Sequence, residues 1–150
     1  MIGLYAEKPG ELARALFEGD SFDNFLLVRA QIRTEIASEF DGRLAEGPEP
    51  YISWGRFRSV LPALPTQPGD PLPSSCHIVL CLSRSKTAGF LNAVRSSFTP
   101  DQVGGLYLNI RLQEGRLSLT TGCSLTQFSP DRSLESAWDQ RIRAFLLPYL

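Results

Sequence analysis

Eight side chains carry the chemistry that this sequence offers for binding a ligand. Arginine grips a carboxylate or a phosphate through two parallel hydrogen bonds, and amide and hydroxyl groups beside it add neutral donors. Tyrosine and tryptophan supply flat apolar surface with a polar edge. On these grounds we predict a ligand-binding set that consists of Asp41, Arg43, Tyr51, Trp54, Asn109, Arg111, Thr120 and Ser124.

Part of this set is aligned by a predicted β-hairpin. Glu114-Gly115 separates two runs in which apolar and polar residues alternate, which is typical of a tight turn between paired strands. A two-residue loop there places Asn109 opposite Thr120 and Arg111 opposite Ser118. The polar face of the hairpin is therefore a ladder of donors beside an arginine.

Two functions from different classes fit these residues. The first is a non-enzymatic binding or protein-interaction module, which takes either a small anionic ligand in a cleft or a protein partner along an exposed sheet face. The alternative is a small enzyme acting on an anionic molecule, with Arg43 and Arg111 as the anion clamp and Asp41 as the base. An enzyme should have a concave pocket that holds a titratable group with a perturbed pKa, whereas an interaction module should expose a flat apolar patch.

The Asp41-Gly42 pair is first of all a turn signal. Glycine tolerates positive φ, and an aspartate side chain can accept a hydrogen bond from the backbone two residues on. We therefore predict that the chain turns here after a long strand. Any further role of this segment falls to Arg43.

Motifs for metal and nucleophilic chemistry are missing from the sequence. His77, the single histidine, follows Cys76 directly, so the two side chains point to opposite faces of a strand. His77 and Cys81 share a face but stand about 13 Å apart at roughly 3.3 Å per residue, too far for one zinc ion. No phosphate-binding glycine loop or nucleophile elbow is present. We predict neither a metal nor a cofactor.

Charge argues against nucleic acid and membranes as partners. The net charge is −1, the basic residues form no run, and no apolar segment is long enough to cross a bilayer. Of the fifteen basic residues thirteen are arginines, which fits either anion recognition or a GC-rich genome. One basic sheet face remains a candidate for nucleic-acid binding, and it consists of Arg29, Arg33, Arg111 and Tyr107. Two glutamates on the same face, Glu35 and Glu39, oppose this role.

The cellular location follows from two weaker signals. The N-terminal stretch has neither the basic start nor the apolar region of a signal peptide. Three cysteines, an odd number without metal-like spacing, are typical of reduced thiols. We therefore expect a cytoplasmic protein.

The pattern of elements predicts one α+β domain over residues 1–150. Strict alternation from Val28 to Phe40 indicates one long strand, and the apolar run around Ile78 to Leu82 indicates a central one. We expect a mixed or mainly antiparallel sheet of about five strands with three to four helices packed mostly on one face. An amphipathic helix from Ser133 ends the chain. An open edge on the long strand would allow a homo-oligomer.

A proline-rich stretch at about 62–75 interrupts this order. Its prolines and glycine exclude a helix or a central strand, so we predict an exposed connecting loop.

Several stretches together resemble an uncharacterised family. They are FDNFLLVRAQIRTEIASEFDGRL, the Tyr51 and Trp54 pair, GLYLNIRL and LTTGCSLTQFSPDRSLESAWD. The chain is similar in these segments to small proteins of clostridia and other Firmicutes that form a domain of unknown function. The resemblance implies a bacterial source and no particular activity.

Overall fold

A computed structural model describes residues 1–61 and 73–150 of the chain. Its strands are β1 (Gly3–Tyr5), β2 (Leu26–Arg33), β3 (Ala37–Asp41), β4 (Ser75–Cys81), β5 (Val103–Gln113) and β6 (Arg116–Leu125). Its α-helices are α1 (Pro9–Phe17), α2 (Trp54–Val60), α3 (Arg84–Ala93) and α4 (Ser133–Leu146). Most of the predicted loop at 62–75 lies outside the described residues.

The six strands form a single antiparallel sheet in the order β1-β6-β5-β4-β2-β3. Strand β4 occupies an interior position, as its apolar residues on both faces predict. The domain is α+β, and the prediction of a single domain with a mainly antiparallel sheet and a C-terminal helix is confirmed.

The predicted long strand is wrong in one respect, because it is two strands. Arg33 pairs with Ala37, and the three residues between them reverse the chain. A three-residue connection preserves parity, so Ile32 faces Ser38 and the alternation runs through the turn without a break. A hairpin with a three-residue loop and one long strand therefore give the same alternation of apolar and polar residues. Glu35, which the prediction set on the sheet face, lies in this turn.

The predicted turn at Asp41-Gly42 is also wrong, because the chain continues in an extended form. Gly42 has no positive φ; its amide donates to the carbonyl of Val28, and its own carbonyl accepts from Ile52. A Cβ on Gly42 would lie 1.8 Å from the carbonyl oxygen of Leu27. Glycine is required here for close backbone approach.

The β5-β6 hairpin has the predicted register. Glu114 and Gly115 form its loop with φ values of 53° and 75°, and two positive values suit the twist of a tight hairpin. Both predicted pairs are present, Asn109 with Thr120 and Arg111 with Ser118. In the same register Ile110 pairs with Leu119 and Leu112 pairs with Leu117.

One face of the sheet, the inner face, is covered by all four helices. Its central rows are leucines and isoleucines that are sealed from water, such as Ile78, Leu108 and Leu119. Both tryptophans lie in this layer. The Trp54 indole donates to the carbonyl of Leu16, and that of Trp138 donates to the carbonyl of Tyr107.

The opposite face of the sheet, the outer face, carries the polar residues of the alternating strands. The edges of the sheet are β1 and β3, which span only three and five residues. Short edge strands offer little backbone for pairing with another copy. The long open edge on which the homo-oligomer prediction depended is therefore not present in the described residues.

Candidate functional site

A continuous row of polar side chains crosses the outer face of the sheet. We call it the His77 row, and its members are partners in register on six adjacent strands: Glu39, Gln31, His77, Arg111, Ser118 and Tyr5. His77 stands at the middle of this row, between Gln31 and Arg111. Neighbouring strands are about 4.8 Å apart, so both of these side chains are within reach of the imidazole.

A second row runs parallel to the first, two residues along each strand. It consists of Asp41, Arg29, Val79, Asn109, Thr120 and Gly3, and we call it the Arg29 row. The Asn109 amide donates to the carbonyl of Thr120, at 3.5 Å. Val79 is buried at the centre of this row, and its apolar side chain lies between the strands that carry Arg29 and Arg111.

Charge on the outer face differs in sign from that of the whole chain. Strand positions on this face hold four arginines and two carboxylates: Arg29, Arg33, Arg111 and Arg116, against Glu39 and Asp41. The chain as a whole has a net charge of −1. The outer face is therefore a local basic surface on a slightly acidic protein.

The two carboxylates are engaged with groups other than these arginines. Asp41 accepts from the backbone amide of Arg43 at 2.9 Å, and Glu39 accepts from the side-chain amide of Gln31 at 3.3 Å. Within residues 1–61 and 73–150, no carboxylate lies within 4.0 Å of the guanidinium groups of Arg29 or Arg111. Both guanidinium groups thus keep hydrogen-bond donors for a ligand.

The environment of His77 favours its neutral form. Partial burial lowers the pKa of the imidazole below 6.5, and the positive charges of Arg111 and Arg29 lower that pKa further. A negatively charged ligand between these groups would reverse the charge effect. His77 is therefore placed to gain a proton when an anion binds.

A cleft of about 560 Å³ opens at the end of the outer face nearest α3. We call it the tyrosine cleft. Tyr51 and Tyr107 line it on either side of Cys81, and Gly104 and Gly105 form part of its floor. The Tyr107 ring lies directly over Gly105, where a Cβ would come within 2.5 Å of the ring.

The environment of Cys81 and Tyr107 in this cleft favours their neutral forms. Burial raises the pKa of the Cys81 thiol to about 12, with a smaller contribution from Glu49. Burial also raises the pKa of Tyr107. A thiol that stays protonated is a poor nucleophile, so the cleft is better suited to binding than to covalent chemistry.

The segment that carries Tyr51 is fixed at both ends. Arg43 and Tyr51 form an isolated bridge, and the amide of Leu44 donates to the carbonyl of Pro50. Glu49 accepts from the backbone amide of Arg84, the first residue of α3, through both carboxylate oxygens at 2.9 and 3.0 Å. A carboxylate at a helix N-terminus is favourable, and here it holds the loop beside the cleft.

Comparison with known proteins places the chain in a family. A model of a family of unknown function, DUF5721, matches residues 15–149. The chain belongs to this family. The match confirms the resemblance to an uncharacterised family that the sequence segments suggested. No curated protein and no solved structure matches this DUF5721 member.

The fold brings some of the predicted site residues together and separates others. Asn109, Arg111 and Thr120 are neighbours on the outer face. Asp41 and Arg43 lie three strands away from Arg111, about 14 Å at 4.8 Å per strand. Tyr51 contributes to the tyrosine cleft and to the depression around Arg29.

Two predicted residues lie away from Arg111. Trp54 is fully buried among the helices, where Phe17 and Phe57 pack against its ring. It is on the opposite side of the sheet from Arg111, so in this fold it is a core residue and not a surface for a ligand. Ser124 stands at the far end of β6 beside Gly104.

Four residues of the site were missing from the predicted set, namely Arg29, Gln31, His77 and Tyr107. Alternation along each strand correctly assigns them to the polar face. Only the order of the strands brings Arg29, Gln31 and His77 close to Arg111, and that order is not readable from one segment. Tyr107 is on the same strand as Arg111, four residues away.

Metal ligands are not clustered in the described ranges of this DUF5721 member. No group of three or more histidine, cysteine or acidic side chains there is arranged to hold an ion. The three cysteines are free, and burial raises the pKa of Cys76 to about 11. Among the described helices, none combines the length and the apolar character that crossing a membrane requires.

Proposed function

We propose that this DUF5721 member is a binding protein for a small anionic ligand, which Arg29, His77 and Arg111 hold on the outer face of the sheet. The observation that carries this proposal is the placement of two arginines around one histidine, with no carboxylate within 4.0 Å of either guanidinium group in the described part of the chain. Charged hydrogen bonds from arginine to a carboxylate or phosphate are short and strong. An anion here would interact favourably with both guanidinium groups and would favour the protonated form of His77.

The character of the face favours a small ligand over a protein partner. An interaction surface of ordinary size has an apolar centre, whereas the exposed side chains of the two rows, apart from Tyr5 on the edge strand β1, are polar or charged. Val79 supplies the apolar centre of the rows but is buried. The shallow depression that Gln31, His77 and Arg111 line is about 310 Å³ in volume, which suits a small molecule.

The enzymatic alternative receives less support from the same geometry. Asp41 pairs with Arg29 at one end of the proposed site but lies three strands from Arg111 and two from His77, and a general base has to reach the proton that it removes within about 3 Å. Asp41 is also occupied by the backbone of Arg43. A binding role requires no such base.

We also propose a cytoplasmic location in a bacterial cell. The free state of all three cysteines supports a reducing compartment, and the resemblance of the sequence segments to small clostridial proteins supports the source.

Calorimetric titration with inorganic phosphate, pyrophosphate and tripolyphosphate at low salt tests the binding proposal. We expect at least one of these anions to bind wild-type protein, and the Arg111→Gln variant to bind it at least tenfold more weakly. Arg143→Gln is the matched control, because Arg143 is an exposed arginine on α4, in the helical layer.

The comparison of the two variants decides the result. Equal losses of affinity in Arg111→Gln and Arg143→Gln would show that the anions respond only to net charge, and would contradict a site on the outer face. Unchanged affinity in Arg111→Gln would contradict it as well.

A further inference from the structure

The tyrosine cleft is not used by the anion site proposed above, yet it adjoins that site. Tyr51 lines the cleft together with Cys81 and Tyr107, and it also lines the depression that contains Arg29 and Arg43. Gln31 in turn lines both this depression and the one around His77 and Arg111. The three concave regions therefore form one track across the outer face.

Distances along this track can be read from the strand register. Cys81 lies two residues from Val79, in the Arg29 row, and four residues from His77 on the same strand. At roughly 3.3 Å per residue these steps are about 7 Å and about 13 Å. A ligand with a flat group in the cleft and negative charges along its tail would meet first Arg29 and then His77 with Arg111.

We propose that the anionic ligand is a nucleotide, with its base between Tyr51 and Tyr107 and its phosphates along Arg29, His77 and Arg111. This inference rests on the proposed function and names the ligand class of the same site. Tyrosine rings stack on any nucleobase, whatever its sequence, while arginines take the phosphates.

Three details of the cleft suit a base. Tyr107 is protonated at neutral pH, and burial raises its pKa further, so its hydroxyl group is a donor. Because Gly105 has no side chain, the Tyr107 ring lies against the backbone there and lines the cleft. Asp101 on the rim offers a carboxylate that can accept from an exocyclic amine.

Nucleotide chemistry is found both in free nucleotides and in single strands of nucleic acid. The acidic net charge of −1 gives the protein no long-range attraction for a polyanion. The basic surface is also interrupted by Glu39 and Asp41 toward the β3 edge. These observations favour a free nucleotide.

Calorimetry with matched compounds tests the inference. Wild-type protein is titrated with ATP, GTP, CTP and UTP, with inorganic tripolyphosphate, and with a short single-stranded oligonucleotide that has no terminal phosphate. We expect the best of the four nucleotides to bind at least tenfold more tightly than tripolyphosphate, because stacking adds to the same phosphate contacts.

Variants of Tyr51 test whether this residue causes the tighter binding of the nucleotide relative to tripolyphosphate. Tyr51→Leu should lower the affinity for that nucleotide to the tripolyphosphate level and leave the affinity for tripolyphosphate unchanged, whereas Tyr51→Phe should keep most of the gain. Tyr149→Leu is the control, because Tyr149 follows α4 in the helical layer, on the opposite side of the sheet from the cleft. It should change neither affinity.

Each contrary result has a separate meaning. Equal affinity for nucleotides and tripolyphosphate would overturn the nucleotide inference and leave the anion site standing, whether or not Tyr51→Leu folds. Absence of binding by every phosphate compound would overturn both. Tighter binding of the oligonucleotide than of any free nucleotide would overturn the assignment to a free nucleotide.

Discussion

The inner and outer faces of the sheet are made by the same strands but depend on different physical effects. On the inner face, Ile78, Leu80 and Leu108 are fully buried under the helices, and the hydrophobic effect stabilises the fold there. On the outer face, Arg29 and Arg111 are both exposed, and their positive charge is available to attract an anion. In the binding proposal, stability and ligand binding depend on opposite faces, so substitutions should affect them separately.

Tyr51 and Trp54 show the difference at close range. They are three residues apart, yet Trp54 is fully buried among the helices and Tyr51 is half-buried in the tyrosine cleft. Ser53 caps α2 between them by accepting from Arg56. The start of this helix is therefore the point where the chain passes from the ligand surface to the core.

The largest effect on stability should come from the inner face. Trp54→Ala removes a fully buried indole and leaves the Leu16 carbonyl without its donor. We expect a loss of about 3–5 kcal/mol in the free energy of unfolding, measured by urea denaturation. Arg111→Gln on the outer face should change it by no more than about 0.5 kcal/mol. Similar losses of unfolding free energy in both variants would contradict the assignment of stability to the inner face alone.

A smaller loss should follow from filling the close backbone contact at Gly42. Gly42→Ala puts a Cβ against the Leu27 carbonyl, so β2 and its neighbour must move apart, at a cost of about 1–3 kcal/mol. Gly89→Ala is the control, because a Cβ on Gly89 meets nothing within 4 Å. That control should stabilise α3 by up to about 1 kcal/mol. A stability gain in both variants would show that Gly42 is not constrained.

The smallest of these effects is a dependence of stability on pH, which belongs to the outer face. The folded state lowers the pKa of His77 below its usual 6.5, so the unfolded chain takes up the proton first. Without ligand, stability should fall as the pH drops below 6.5 and level off below the folded-state pKa. His77→Gln should remove this slope in thermal melts at pH values above about 5, before carboxylates titrate. An identical slope in the variant would show that groups other than His77 cause the pH dependence of stability.

Local patterns predicted those parts of the fold that local chemistry decides. The β5-β6 register follows from Glu114-Gly115 and from the alternation on either side, and both lie within one short segment. The C-terminal helix followed from its apolar stripe, of which Leu134, Trp138 and Ile142 are buried.

Features that depend on long-range pairing were not predictable in this way. A hairpin of odd loop length and a single strand give the same alternation around Thr34, so the extra strand was missed. The site was missed in part for a related reason. Arg29 and Arg111 are far apart in sequence, and only the insertion of β4 between β2 and β5 places His77 between them. Trp54 was predicted on the ligand surface because its side-chain type suits binding, whereas its helical face decides its position.

The central claim is that an anion binds beside His77 on the outer face. His77 is the only histidine, so its imidazole protons give isolated signals in a one-dimensional NMR spectrum. The measurement is a pH titration of these signals with and without saturating tripolyphosphate, in wild type and in Arg143→Gln. The account predicts that tripolyphosphate raises the pKa of His77 in both proteins, because a bound anion stabilises the imidazolium. Coincident titration curves with and without the anion would contradict it.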